Sequence, residues 1–244
     1  MPENSEESWS WLMSEHNRGK VGILIDPAVG FNELALAARA SGRVSINDIG
    51  NMTREEITNL VNVLIDLKKA GHFAGFWHTV PESIDFFRSG RTHIQSMFAP
   101  AFYSLKGQGY QVSYASPSEG YRAWQGVMCL SSAVEESAKD MAYEYMNWWL
   151  SGWAGAYIAR QGYYMSNPDK VRGYLSPDEW DYWYDGKPAN SDLVGIDGTT
   201  IVARKGEIRP GGSYTKRLSN IAFWNGITTG YEYKLSGWND FLTA

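Results

Sequence analysis

The chain has 244 residues, 43% of them hydrophobic, and a formal net charge of -5, which provides enough apolar material for one sizeable core or two small ones. The negative charge and a sequence pI near 5.4 argue against a nucleic-acid partner, because phosphate binding needs clustered Lys and Arg. The longest nearly apolar stretch, 148–158, contains Ser and Gly and is too short to cross a bilayer as a helix.

The first half of the chain alternates short apolar runs with helical patterns. Thr53 with Glu56 three residues later is a capping-box pattern, and the helix it begins ends at Gly71. In chain order we predict a strand within 19–27, helices at 31–40 and 53–71, a strand at 73–77, a helix at 81–89, a strand at 93–98, a short helix from 100 and a strand at 110–115. This alternation predicts an α/β fold with a mostly parallel sheet flanked by helices.

The second half is less regular. We predict a strand at 123–130, helices at 135–150 and 154–161, a short aromatic helix at 177–184 and a final helix from 214 towards 224. The stretch 162–212 is rich in turn-forming Gly, Pro and Asn. We expect residues 1–8, which are polar and acidic, to form a flexible tail.

Asp26 is the most informative single carboxylate. It closes the first apolar run and precedes a Pro-containing loop that leads into a helix, and open α/β sheets bind ligands at the carboxyl ends of their strands. An Asp that only forms the turn or caps the helix explains the same pattern equally well. Both interpretations stay open.

Motifs for enzymatic chemistry are sparse. The four histidines, His16, His72, His78 and His93, have no metal-ligand spacing and are expected on the surface or in loops, while the single Cys129, among apolar neighbours, is expected to be buried. No phosphate-binding loop or nucleophile elbow is present.

One segment leaves an enzyme open as an alternative. The carboxylates of 178–185 alternate with Trp and Tyr and resemble the acid pair and sugar-stacking rings of a glycoside hydrolase. Asp178 and Glu179, however, also fit the first turn of a helix, where negative charge complements the helix dipole.

The order of several short motifs resembles the second lobe of bacterial extracellular solute-binding proteins of the spermidine/putrescine-binding type, the receptors of ABC importers. The motifs are Ser8-Trp9-Ser10-Trp11 before Gly19-Lys20-Val21 and Asp26-Pro27; Phe76-Trp77; Phe86-Phe87-Arg88-Ser89-Gly90; Pro117-Ser118-Glu119-Gly120 before Ala123-Trp124; and Gln161-Gly162-Tyr163-Tyr164 near Asn167-Pro168. This resemblance covers most of the chain.

The resemblance implies a periplasmic-binding-protein-like lobe and a periplasmic, non-catalytic receptor without metal or cofactor, which would deliver its solute to an ABC permease. Family members begin with a first lobe that this sequence lacks, so the chain is expected to be the C-terminal part of a receptor. Residues 9–124 and 171–244 would then form the second lobe, and 125–170 the hinge strand and helices that return to the first.

The resemblance also implies the ligand-binding residues. They are Asp26, Phe98, Trp124, Tyr163, Trp224 and Asn225. Rings with one carboxylate and one amide suit a cation or a sugar, whereas Val29 and Gly126 stand where polyamine receptors carry further carboxylates. The expected solute is therefore polyamine-like, another cation or a sugar.

The helical pair at 135–161 is rich in Tyr and Trp. In a complete receptor it would pack against the first lobe, so in this chain it is expected to expose an apolar patch. The sequence thus also predicts a protein-interaction role, with self-association into a homo-oligomer through residues 125–165.

Overall fold

The computed structural model describes residues 6–226, 228 and 230–244. The α-helices are α1 (Gly30–Ala40), α2 (Arg54–Lys69), α3 (Val80–Arg88), α4 (Ala99–Gly107), α5 (Glu136–Trp149), α6 (Trp153–Ala159), α7 (Pro168–Val171), α8 (Pro177–Trp180), α9 (Tyr214–Ser219) and α10 (Tyr231–Thr243). The strands are β1 (Val21–Leu24), β2 (Phe73–Trp77), β3 (Ile94–Gln95), β4 (Tyr121–Ala123), β5 (Leu193–Val194), β6 (Ile201–Ala203) and β7 (Ile221–Trp224). Helices and mostly parallel strands together confirm the predicted α/β class.

The chain divides into two compact units. Unit 1 contains the chain up to Phe102, Ser113–Trp124 and Asn220–Ala244, and unit 2 contains Tyr103–Val112 and Gln125–Ser219. In the sequence-based division, 171–219 belonged with 9–124, whereas these residues cluster with 125–170 in the structure. The expectation that 125–170 returns to a first lobe stays a prediction.

Unit 1 is built on a three-stranded parallel sheet in the order β2-β1-β3. The central strand β1 is buried along its whole length, as expected for a parallel strand covered on both faces. The helix that follows, α1, is buried from Gly30 to Ala38, and α2 adds a face of Ile57, Leu60 and Leu64 to the same core.

The C-terminal helix α10 completes this core. Its Trp238 and Phe241 are buried, and Gly237 lets it approach α2 closely, since a Cβ at that position would lie 2.7 Å from a methyl group of Val61. The capping box of Thr53 and Glu56 begins α2 as predicted. The packing of α2 against α10 therefore depends on a local signal, the capping box, and on a tertiary contact, the close approach at Gly237.

The strands β4 and β7 form a parallel pair within unit 1. Gly120, with a φ of 94°, lies directly before β4, and a Cβ there would come within 2.8 Å of the Asn220 carbonyl oxygen. Residues 1–5 of the predicted flexible tail lie outside the described residues. Glu7 and Ser8 are held in place by hydrogen bonds to Ser116 and Glu119, respectively.

Unit 2 has a core of its own. It includes Tyr182 and Trp183, which lie in a single π-helical turn, Asp181–Asp185, that follows α8. The buried Arg209 guanidinium donates to the carbonyl oxygens of Trp183 (2.8 Å) and Gly162 (2.7 Å). The predicted helix at 177–184 is thus present, although its second half has π geometry.

Several predicted elements differ from the structure. The structure has no strand at the predicted positions 110–115. Of the strand predicted at 123–130, only Ala123 is in a strand, as the last residue of β4. An apolar run becomes a strand only beside another strand, and none of the described strands pairs with 124–130. The predicted helix from Tyr214 ends at Ser219 and gives way to β7, and α10 was missed.

One burial prediction was wrong. Cys129 is exposed, because the segment that carries it pairs with none of the described strands. His72 lies in the loop between α2 and β2, as the sequence allowed, but it is buried there, and its Nε2 lies 2.9 Å from the Leu12 carbonyl oxygen. None of the described helices is both long and apolar enough to span a bilayer.

Candidate functional site

The carboxyl ends of β1, β2 and β3 meet at one edge of the parallel sheet in unit 1. Leu24 ends β1 in register with Trp77 at the end of β2, and with Phe86 these side chains form a small apolar cluster bordered by Val29 and Phe98. The loop that contains Asp26 follows β1 directly. The structure therefore brings the Asp26 loop and Phe98 to the same edge, where open α/β sheets bind ligands.

Asp26 forms the turn into α1. Its Oδ1 accepts hydrogen bonds from the backbone N–H groups of Ala28 (2.8 Å) and Val29 (3.0 Å), which is the turn-forming role that the sequence left open. Its side chain is exposed, and no donor of the described residues reaches Oδ2. One carboxylate oxygen thus shapes the loop and the other faces solvent.

Phe98 and Trp124 form the aromatic part of the edge. The Phe98 ring lies edge to face with Trp77 (centroids 6.1 Å apart) and with Trp124 (6.5 Å), an arrangement that stabilises aromatic pairs. Trp124 is 45% exposed. Phe98 therefore connects the buried cluster to an indole that a solute can contact.

A buried ion pair lies beside these rings and was missed by the sequence analysis. The Glu33 carboxylate of α1 accepts from Nε of Arg122 (2.8 Å) and from the Ser96 hydroxyl, and the Arg122 guanidinium lies 5.6 Å from the centre of the Phe98 ring. Side-chain exposure is only 3% for Glu33 and 10% for Arg122. A carboxylate inside an otherwise apolar helix was the available signal, because a buried charge needs a partner.

Lys234 of α10 is the second residue that the sequence analysis missed. It is 6% exposed, and its Nζ lies 3.3 Å from Oδ1 of Asn32. Burial lowers the pKa of Lys234, and the charge of Asp26 partly counteracts this effect. One helical turn later, Trp238 donates through Nε1 to the Ile25 carbonyl oxygen at 2.8 Å. The helix α10 therefore places a buried cation behind the Asp26 loop.

Trp224 lies on β7, the partner strand of β4. Ala123 is in register with Trp224, and Asn225 donates its backbone N–H to the Ala123 carbonyl oxygen at 2.8 Å. Since residues in register on paired strands point to the same face, Trp224 projects from the face of the β4–β7 pair that carries Ala123, whereas Trp124 follows β4 and contacts Phe98.

Asn225 and Tyr163 complete the predicted set. Asn225 follows β7, and its Oδ1 is buried without a hydrogen-bond donor among the described residues. Tyr163 belongs to unit 2. The structure thus brings Phe98 together with Trp124 and with the Asp26 loop in unit 1.

The acid-aromatic segment in unit 2 uses its carboxylates in local contacts. Burial raises the pKa of Asp178, but hydrogen bonds from Ser191 and Asn190 outweigh it, and the net pKa is lowered. The pKa of Glu179 is lowered in the same way by Arg160 and Ser176. A general acid of a glycosidase needs a raised pKa, so these observations count against the hydrolase alternative.

No family model matches the chain, and comparison with curated proteins finds no match. In the described part of the chain, no three His, Cys, Asp or Glu side chains are grouped so as to hold a metal ion. The candidate site is therefore defined by its geometry alone.

Proposed function

We propose that this protein binds a small dissolved solute, without transforming it, at the carboxyl edge of the unit 1 sheet. The observation that carries this proposal is the exposed Trp124 indole, held by Phe98 on the sheet edge that also carries the exposed Asp26 carboxylate. A few polar groups beside aromatic surface are typical of small-molecule sites. Nothing in this arrangement supplies a nucleophile with its activating base.

The resemblance to solute-binding proteins supports a wider proposal. The bound solute, which is polyamine-like, another cation or a sugar, would be delivered to an ABC permease, and the receptor would act in the periplasm. The order of the motifs around Asp26, Phe76-Trp77 and Trp124 supports this proposal.

Binding can be tested by isothermal titration calorimetry with spermidine, an ω-amino acid and maltose as probes. We expect Trp124→Ala to weaken binding of the successful probe by about tenfold, since loss of one stacked ring costs roughly 1 kcal/mol or more. Trp224→Ala is the matched control, because Trp224 has a similar exposure (52% against 45%) and projects from the face of the β4–β7 pair that carries Ala123. Equal losses in both variants, or no binding of any probe, would contradict the proposal.

A second observation favours the proposed self-association. No residue of α5 is buried, and its exposed Tyr145 and Trp148 continue into α6 as a row of ring contacts, which we call the aromatic ridge (Tyr145, Trp148, Trp153, Tyr157). Successive ring centroids lie 6.2, 5.6 and 5.8 Å apart. We propose a second copy of the chain as its partner, because an isologous contact needs only one self-complementary patch.

The area of the aromatic ridge sets the expected strength. With roughly 200 Å² for each aromatic side chain and about half of each exposed, the ridge leaves ~400 Å² of ring surface in solvent, within the range of the largest patches on monomers. That is about half of what one partner contributes to a standard interface, so we expect a weak dimer.

Analytical ultracentrifugation over a concentration series tests this dimer. We expect Trp148→Ser to abolish it and Tyr174→Ser, which removes an equally exposed ring outside the ridge (48% against 47%), to leave it intact. A monomer at every concentration would refute the proposed self-association and leave the solute-binding proposal untouched.

A further inference from the structure

Two carboxylates and two cations lie at the unit 1 edge. Glu33 forms a buried ion pair with Arg122, and the buried Lys234, which contacts Asn32 of α1, interacts with the charge of Asp26 without a direct ion pair. Because these four charges sum to zero, the class of solute depends on which charged atoms remain accessible.

Lys234 is fixed behind Asp26 by a continuous set of contacts. Its Nζ lies 3.3 Å from Oδ1 of Asn32, whose Nδ2 donates to the Ala28 carbonyl oxygen at 3.2 Å, and the N–H of Ala28 donates to Oδ1 of Asp26. Trp238 holds the same stretch of α10 against Ile25. Lys234 thus compensates the Asp26 charge from the interior while Oδ2 stays at the surface.

In the Glu33–Arg122 pair, it is the cation and not the carboxylate that keeps polar groups available for a ligand. Its Nε is occupied by Glu33, and neither of its Nη groups donates to another described residue, although nine-tenths of its side chain is buried. Its guanidinium lies over Phe98, which contacts Trp124. An arginine uses its second pair of N–H groups to receive a carboxylate. The edge therefore offers one negative and one positive group, with two aromatic rings beside the positive one.

A polyamine does not match this balance. Each of its ammonium groups needs a carboxylate to offset its desolvation, yet Glu33 is already paired and Asp26 is partly compensated by Lys234. A monocarboxylate matches no better, because its single charge has the same sign as the exposed carboxylate oxygen of Asp26.

We propose that the solute is a small zwitterion of the amino-acid type, whose ammonium group binds Asp26 and whose carboxylate binds Arg122. This inference rests on the proposed solute binding, and it replaces the polyamine, other cation or sugar implied by the resemblance with a different chemical class. The rings of Phe98 and Trp124 pack against the carbon chain between the two charges.

Calorimetry with matched probes tests the proposal. The probes are a series of ω-amino acids from glycine upwards, the diamines of the same chain lengths and the corresponding monocarboxylates. We expect the best amino acid to bind about tenfold or more tightly than its diamine and its monocarboxylate, because each lacks one ion pair of the bound state.

Two variants assign the charges. Asp26→Asn keeps an oxygen that accepts from Ala28 and Val29, so the turn is retained, and it should weaken amino-acid binding by about tenfold. Lys234→Met removes the interior cation and should shift the preference towards the diamine. An amino acid that binds equally well to Asp26→Asn would overturn the assignment.

The outcomes also separate this inference from the proposed function. If the protein prefers a diamine or maltose and loses that binding in Trp124→Ala, the proposed zwitterionic solute is wrong, but the proposed solute-binding site is retained. Absence of binding by every probe, spermidine and maltose included, would overturn both.

Discussion

The helices α1 and α5 carry similarly amphipathic sequences, but the structure covers one and leaves the other open. In α1, every residue from Gly30 to Ala38 is buried, whereas α5 has no buried residue along its 14 residues. The difference lies in their neighbours, since α1 packs between the sheet, the 3-10 helix Trp9–Met13 and Trp238 of α10. Apolar periodicity marks a face that can be buried, and tertiary structure decides whether it is.

The largest effect should come from removing a ring inside the covered helix. Phe31 is fully buried and lies edge to face with Trp238 at 5.8 Å, so Phe31→Ala should lower the free energy of unfolding by about 4 kcal/mol. Urea denaturation measures the change. Tyr145→Ala in α5 is the comparison, with an expected loss below ~1 kcal/mol; similar losses would show that α5 is packed in solution.

Breaking the buried ion pair beside α1 should have the next largest effect. Glu33→Gln leaves the Arg122 charge without its carboxylate and should cost about 3 kcal/mol of unfolding free energy. Combining it with Arg122→Met should recover a large part of that loss, because no buried charge then remains. A double variant as unstable as the sum of the two single variants would mean that the side chains do not interact.

In unit 2, Glu179 provides a smaller and pH-dependent effect. Burial raises its pKa, but the bonds from Arg160 (2.5 and 3.1 Å) and Ser176 outweigh this and lower it below 4.5. Its stabilisation is therefore complete above pH 4.5 and is lost as the pH falls through the lowered pKa. At neutral pH, Glu179→Gln should lose about 1–2 kcal/mol, and urea midpoints should converge with those of the unmodified protein in acid; a constant difference would contradict this.

The smallest effect concerns Lys234, the charged residue on covered α10. Because burial lowers its pKa in the folded state, the unfolded chain holds the proton more tightly, and stability rises as the pH increases through the lowered pKa towards 10.5. Lys234→Met should lack this rise in stability at alkaline pH. The rise itself should be less than ~1 kcal/mol of unfolding free energy, because the nearby Asp26 charge limits how far the pKa of Lys234 is lowered. Urea midpoints at neutral and alkaline pH measure it, and parallel profiles would contradict it.

The elements that carry local signals were predicted well. The strand β2 has the predicted bounds, Phe73–Trp77, and α2 begins after Thr53 and ends before Gly71 as expected. Thr79 accepts from the Glu82 backbone N–H and begins α3 within one residue of the prediction. Capping and turn formation involve residues three or four apart, so the sequence contains all the information that they need.

Elements that depend on distant partners were predicted poorly. The apolar run after Ala123 was expected to be a strand, but 124–130 has no neighbouring strand among the described residues, and 124–129 are exposed. The helix α10 was missed because its polar residues and its Gly237 weaken the helical pattern, and its position depends on contact with α2.

The candidate site likewise contains residues that could be predicted from the sequence and residues that could not. Asp26 and Phe98 follow the ends of β1 and β3 and could be placed on one sheet edge from the order of the elements. Trp124 follows β4, which pairs with β7 in a separate sheet, and only its contact with Phe98 places it beside them. Their charged neighbours could not be predicted, because Arg122 lies 89 residues from Glu33 along the chain and Lys234 lies in the missed helix. The resemblance to solute-binding proteins stays a prediction.

By itself, the sequence determined where the helices and turns of unit 1 begin and end and which strand ends carry a carboxylate and rings. These features depend on backbone hydrogen bonds and side-chain periodicity over a few residues. Only the tertiary structure decided which apolar faces are covered, which face of β7 presents Trp224, and which buried cation accompanies each carboxylate. Burial and charge compensation depend on residues that are distant in the chain, and no local pattern encodes their meeting.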